Sequence, residues 1–288
     1  LFKKALSFKG VLFSVMNTIK SALQIDPQLK SLDKEVLLAH VLKVDRSYLI
    51  AHNERELINS EFALYQDLLA RRKNNEPIAY IVGSKEFYGR NFVVNNHTLI
   101  PRPESEHLID HLKTIYHIED EISILDVGTG TGCLAITAAL EFPNSQVTAI
   151  ELYPQTVEVA RTNNLALCTS KLVTIIESDL LSALPAAAYF DCILANLPYI
   201  CQDSADVGAE TSQYEPTQAL YSGKDGLDHY RLLFTQLADR HLPFKNLICE
   251  IGLDQSRSIQ QLAKAVLGKE GNVYNDLADK PRIFVFTN

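Results

Sequence analysis

The sequence predicts an α/β protein in which a mostly parallel sheet is covered by helices on both faces, with a small helical domain ahead of it. Three observations carry that prediction. Beyond Asp120, short β-rich runs alternate with helical ones. The first of these runs enters a glycine-rich turn that opens a helix. The segment before the sheet region has helical rhythm and almost no glycine.

The chain has 288 residues, of which 47% are hydrophobic and 22% charged, enough to bury one large core or two smaller ones. This composition excludes disorder, a collagen-like chain and a disulfide scaffold. A net charge of -8 and a pI near 5.5 make stable nucleic-acid binding an unfavoured property of the surface as a whole, though a local basic patch is compatible with it. The chain lacks the long uncharged apolar run that a membrane span requires, so a soluble protein is expected. The five cysteines (Cys133, Cys168, Cys192, Cys201, Cys249) are scattered and form no CxxC pair, the pattern of free thiols in a reducing cytoplasm.

Residues 1–15 are basic and apolar and are set apart as a leader or non-native extension, because the only methionine, Met16, directly precedes a helix-compatible stretch and is the expected natural start. Residues 16–76 are expected to form a helical bundle, with apolar residues at helical spacing such as Val36, Leu37, Ala39 and Val41, or Phe62, Tyr65, Leu68 and Leu69. Pro77 ends that pattern. From Ile78 to Asn95 the rhythm turns to β-rich alternation punctuated by Gly83 and Gly89, so residues 77–98 are expected to be a β-hairpin linking two domains. Residues 99–288 hold the expected strands: Ile122 to Val127, Gln146 to Leu152, Val173 to Glu177, Phe190 to Ala195, Asn246 to Ile251 and Ile283 to Phe286.

The first of these strands carries Asp126 and runs into Gly128-Thr129-Gly130-Thr131-Gly132. Glycines at such a turn let a ligand approach the main chain closely. The spacing is GxGxG rather than the GxGxxG of a dinucleotide fold, and no GK[ST] follows as in a phosphate-binding loop, so a nucleoside cofactor without a pyrophosphate fits better. Glu151 ends the second strand, where a carboxylate can accept both hydroxyls of a ribose. Asp179 follows the third, where it can accept from an adenine amine, with Leu180 beside it to touch the ring. Taken singly, each acid is also what a helix cap or a solvated loop residue looks like. Together with the glycine loop they resemble the class I S-adenosylmethionine-dependent methyltransferases.

The fourth strand ends in Asn196-Leu197-Pro198-Tyr199, which is similar to the [DNS]PP[YFW] signature of methyltransferases acting on planar nitrogens. An amide or aromatic-amine nitrogen is a weak nucleophile because its lone pair is delocalised. Acceptors must therefore hold its N–H groups while the lone pair is aimed at the methyl carbon; Asn196 offers one carbonyl, the main chain of the turn another, and Tyr199 a flat surface. Leu197 stands where the signature has proline. It keeps the main-chain carbonyl and the extended bias of a residue before Pro198 but loses the fixed φ, so activity is expected to persist with some loss of preorganisation.

Three further segments decide among the possible substrates: Glu86-Phe87-Tyr88-Gly89, Ile100-Pro101-Arg102-Pro103-Glu104-Ser105-Glu106, and Tyr214-Glu215-Pro216 continuing to Gly223-Lys224-Asp225-Gly226-Leu227. With these the chain resembles the release-factor glutamine methyltransferases (HemK/PrmC) from about Asn17 to its end. The resemblance implies a seven-stranded Rossmann-like methyltransferase sheet with an antiparallel last strand, an N-terminal helical domain that docks the substrate, and a linking hairpin. It further implies methylation of the glutamine in the GGQ tripeptide of class I peptide-chain release factors, with S-adenosylmethionine as methyl donor and S-adenosylhomocysteine as product. Asp126, Gly128, Thr129, Gly130, Thr131, Gly132, Glu151, Asp179, Leu180 and Asn196 are then expected at the cofactor, with Arg102 closing over it. Asn196, Leu197, Pro198 and Tyr199 are expected at the substrate glutamine. Leu180 replaces a tryptophan found in some members, exchanging ring stacking for aliphatic contact.

His107 and His111 are four residues apart but lack the adjacent glutamate of HExxH, so no metal site is expected. A base methyltransferase acting on DNA or RNA, or a cofactor-binding relative impaired through Leu197, are the competing readings. A cytoplasmic monomer is the expected state.

Overall fold

The computed structural model describes residues 17–168, 173–204 and 207–288; the expected leader and the start at Met16 lie outside them. The chain divides between Val82 and Gly83 into two compact units.

In the first unit, helices Ile19–Leu23, Ser31–Leu42, Arg46–Ala51, Asn59–Lys73 and Ile78–Val82 surround a core of Ile19, Leu37, Leu38, Tyr65, Leu68 and Leu69. Of the residues that the helical spacing marks, Leu37, Ala39, Tyr65, Leu68 and Leu69 are buried and Val36, Val41 and Phe62 half-buried, while His40 and Leu64, which share that spacing, stay exposed. Residues 77–98 depart from the expected hairpin linker in two ways. Ile78–Val82 is a helix, because Pro77 starts it and its carbonyl accepts the N–H groups of Tyr80 and Ile81. The hairpin itself, β1 (Ser84–Phe87) and β2 (Arg90–Val93), belongs to the second unit rather than standing between units. Its Phe87 and Phe92 are buried in the sheet core, and the Asn163 side chain bonds the Val93 N–H (2.7 Å) and carbonyl (3.0 Å).

The second unit holds β3 (Ser123–Val127), β4 (Gln146–Glu151), β5 (Thr174–Glu177), β6 (Phe190–Ala195), β7 (Phe244–Glu250), β8 (Asn272–Asn275) and β9 (Pro281–Thr287) in the spatial order β5-β4-β3-β6-β7-β9-β8. The first five are parallel, and β9 is antiparallel to both neighbours. Alternate residues of one strand face opposite layers. Leu125, Val127, Ile193, Ala195, Leu247 and Cys249 enter one core; Ile124, Cys192, Leu194 and Ile248 enter the other. Both faces being covered explains why β6 is buried at every position. The sequence runs foretell six of these strands; β8 is implied only by family resemblance, because Asn-Val-Tyr-Asn is a mostly exposed edge with little apolar signal.

Candidate active site

The sheet reverses its winding between β3 and β6, since β3, β4 and β5 follow one another outward on one side and the chain then crosses back from β5 to β6 on the other side of β3. A crevice opens at the carboxyl ends of such a pair. The glycine loop leaves β3 there, and Asn196 leaves β6 beside it.

The loop is held from both sides. The N–H groups of Gly128 and Thr129 donate to the Ile150 carbonyl of β4 at 2.9 and 3.0 Å. Beneath it, the fully buried Asp126 accepts from the Thr129 hydroxyl (2.6 Å) and from the N–H of Ala135 (3.2 Å) in the first turn of helix Cys133–Glu141. Burial pushes the Asp126 carboxyl up to about 7 against those two bonds. Glu151 closes the loop from the other side: one oxygen accepts from Gly130 N–H (3.0 Å), the other from Leu152 and Tyr153 N–H (2.9 and 3.1 Å). Burial raises its pKa while these backbone bonds oppose the shift.

A cavity of about 330 Å³ fills the crevice. Of the residues expected at a cofactor, Gly128, Thr129, Gly130, Thr131 and Glu151 line it, as do Asp179, Leu180, Asn196 and Arg102. Asp126 and Gly132 do not. Asp126 lies under the loop as a scaffold, and Gly132 is a buried turn residue whose added Cβ would strike Ile136 at 2.9 Å. Both stand behind the lining, where they shape the loop. Leu180 reaches the wall from a left-handed backbone, φ 47°, with its carbonyl accepting from the Ser178 hydroxyl (2.6 Å).

A second cavity of about 360 Å³ shares Leu99, Arg102, Asn196, Leu197, Pro198 and Ala219 with the first, and Tyr199 lines only this second one. The two spaces thus meet at the Asn196-Leu197-Pro198 turn. Arg102 lies on both walls, paired with the buried Glu215 (2.5 Å), whose other oxygen accepts the Ile100 N–H (3.0 Å). One carboxylate therefore staples the Ile100-Pro101-Arg102 segment to Tyr214-Glu215-Pro216.

Around Asn196 the structure brings in residues that sequence reasoning missed. The Asn196 Nδ2 donates to Ser105 Oγ (2.8 Å) and to Glu250 Oε2 (3.0 Å); Ser105 Oγ donates to the same Glu250 oxygen (2.5 Å), and the Tyr199 hydroxyl to Glu250 Oε1 (2.9 Å). Gln255 donates to the Tyr199 carbonyl at 2.9 Å, and Gly226 leaves room for that carbonyl, since a Cβ there would stand 2.1 Å from it. Glu250 ends β7 as Glu151 ends β4. A signal for it exists in the sequence, an acid at a parallel-strand terminus, although the sequence reading applies that pattern only to the earlier strand ends. His107 Nδ1 lies 3.4 Å from Asp110, and the His111 ring packs against the Tyr274 ring of β8 with centroids 4.6 Å apart.

The donor set suits S-adenosylmethionine. The Glu151 carboxylate has lone pairs left after its backbone bonds, so it can accept ribose hydroxyls. A Cβ direction at Gly130 meets open space, leaving the main chain free for close approach. Arg102 is the single Lys or Arg among the described wall residues, and it is already paired, which fits a zwitterionic nucleoside better than a diphosphate. Sheet order, loop and strand-end acids together define a class I S-adenosylmethionine-dependent methyltransferase.

Residues 20–83 match the PrmC N-terminal domain, and residues 103–213 the methyltransferase small domain. A release factor glutamine methyltransferase from Koribacter versatilis is 36% identical over 284 residues, covering 97% of this chain and 98% of the relative. A bifunctional methyltransferase from Rickettsia felis is 32% identical, over 89% of this chain and 54% of its own length, so the chain spans about half of that relative. Among solved structures, a methyltransferase from Pyrococcus furiosus aligns with a TM-score of 0.51 at 20% identity, over 77% of this chain and 98% of that one. The chain belongs to the release factor glutamine methyltransferase family, and S-adenosylmethionine is its cofactor. Among the described residues no helix is long and apolar enough to cross a membrane.

Proposed function

We propose that this enzyme methylates the side-chain amide nitrogen of the glutamine in the GGQ tripeptide of class I peptide-chain release factors. The observation that carries the reading is the meeting of two cavities at Asn196, one walled by the glycine loop and Glu151, the other by Tyr199. The Koribacter relative's name and its near-complete overlap with this chain support the substrate.

When bound, S-adenosylmethionine supplies a methyl group on a sulfonium, whose departure leaves a neutral thioether. In this reading the glycine loop and Glu151 hold the nucleoside, Asp179 accepts from the adenine amine, and Leu180 covers the ring. Asn196 Oδ1 accepts one N–H of the substrate amide, a carbonyl of the turn accepts the other, and the Tyr199 ring lies against the amide plane. Alignment of this kind is worth up to about 7–11 kcal/mol in well-oriented cases. The nitrogen becomes acidic as the new N–C bond forms and releases its proton to solvent, so no strong base is required.

Docking of the release factor is assigned to the N-terminal helical domain, residues 16–76, with the catalytic domain beyond the hairpin. The reading includes a monomer acting in the cytoplasm without stable nucleic-acid binding, in keeping with the net charge of -8. The test is a transfer assay with labelled S-adenosylmethionine, offering release factor and duplex DNA in parallel, followed by peptide mass mapping. A single methyl on the GGQ glutamine is the expected result. Label only in DNA would replace the substrate, and cofactor binding with no label in either would point to an impaired relative.

A further inference from the structure

Glu250 is almost fully buried, at 1% exposure, yet three side chains point hydrogens at it: Ser105, Asn196 and Tyr199. Burial raises its pKa, and the Ser105 and Tyr199 bonds oppose that by stabilising the charged form. In this geometry both Glu250 oxygens are used as acceptors, Oε2 for Ser105 and Asn196 and Oε1 for Tyr199. The Ser105 hydroxyl, having given its hydrogen to Glu250, can offer Asn196 only a lone pair. Both neighbours of the Asn196 amide on this side are therefore acceptors, so its NH2 end must turn toward them and its Oδ1 away. No hydrogen bond to that Oδ1 exists among the described residues, and Asn196 lines both cavities.

We propose that Glu250 is the positioning residue that sets the polarity of the methyl-acceptor site: through Ser105 and Asn196 it presents a carbonyl oxygen to the substrate, and through the Tyr199 hydroxyl it fixes the neighbouring ring. The site consequently selects a group that donates N–H, an amide, and disfavours the isosteric carboxylate of glutamate, which would face one acceptor with another. This rests on the amide-methylation reading above and assigns its specificity to a residue outside the Asn196-Leu197-Pro198-Tyr199 turn.

The polarity can be reversed as a unit, because every change needed exchanges O for NH2 at constant shape. Asn196→Asp alone sets two carboxylates against each other and should lower kcat about 100-fold or more, by analogy with loss of one oriented polar contact. Adding Glu250→Gln supplies an amide donor to the new carboxylate, lets the Ser105 hydroxyl rotate, and leaves an acceptor facing the substrate. The double variant is expected to regain about tenfold or more in kcat over Asn196→Asp. A double variant no faster than that single variant would overturn the proposal.

A second readout needs no substrate. In protein labelled with 15N-asparagine, the Asn196 side-chain NH2 resonance, identified by its loss in Asn196→Asp, is expected to move upfield in Glu250→Gln as the carboxyl acceptor gives way to an amide group. A resonance that stays in place would also overturn the proposal. If the resonance moves but wild type transfers no methyl to release factor, the substrate reading falls and the role of Glu250 stands.

Discussion

Leu197 packs its Cδ2 methyl over Gly128 so closely that a β-carbon added to the glycine would stand 2.8 Å from it. The Asn196-Leu197-Pro198-Tyr199 turn and the glycine loop therefore meet in van der Waals contact, and the contact is made by the residue that departs from the family signature. Leu197 is 4% exposed and belongs to the sheet core, so packing restrains the turn where a proline ring would otherwise do so.

Gly128→Ala combines that clash with a left-handed φ of 71°. Stability is expected to fall by about 1–3 kcal/mol and affinity for S-adenosylhomocysteine by about tenfold or more. Urea unfolding and calorimetric titration measure the two. Leu197→Ala should cost about 2–4 kcal/mol through the vacated volume. Leu197→Pro fixes φ but removes the methyl over Gly128, so its kcat is expected to rise by no more than about twofold.

Glu151 both closes the glycine loop and faces the cavity. Glu151→Gln replaces one acceptor oxygen with a donor beside backbone N–H groups. Affinity for S-adenosylhomocysteine should drop about 10–100-fold while kcat at saturating cofactor changes much less. A selective loss of kcat with unchanged affinity would contradict this placement.

Arg102 and Glu215 form a pair in which the carboxylate side chain is 1% exposed and the guanidinium 32%. Removing the arginine strands a buried charge, so Arg102→Ala should destabilise by about 2–4 kcal/mol, and Glu215→Gln added to it should restore part of the loss. A double-mutant cycle on unfolding free energies measures the coupling, expected at about 1–3 kcal/mol.

Asp126 gives a pH dependence whose sign follows from burial. Its folded pKa, about 7, lies above the ordinary value of 3.8, so between those values the unfolded chain has released a proton that the folded chain retains. Stability from this group is full at low pH, declines as pH rises from about 4 to 7, and is constant above. Asp126→Asn should flatten that slope. Unfolding curves from about pH 4.5 to 8 for the two proteins make the comparison.

The sequence by itself determined the alternation of strands and helices, the glycine loop after β3, the acids ending β4 and following β5, and the Asn196-Leu197-Pro198-Tyr199 turn after β6. These are local signals: burial on both faces writes continuous apolar runs, and a tight turn writes glycine. It did not reveal β8, whose exposed edge needs little apolar surface, or the helix Ile78–Val82, whose five residues read equally well as a strand.

Only the tertiary structure decided that Asp126 supports the loop from below, that Glu215 staples Arg102, and that Ser105 and Glu250 orient Asn196. These pairs lie 113, 91 and 54 residues apart in the chain for Arg102–Glu215, Ser105–Asn196 and Asn196–Glu250. A buried polar group must find a partner, but which partner depends on strand order. The parallel crossover that sets β7 beside β6 brings Glu250 to Asn196, and no periodicity within either segment encodes that meeting.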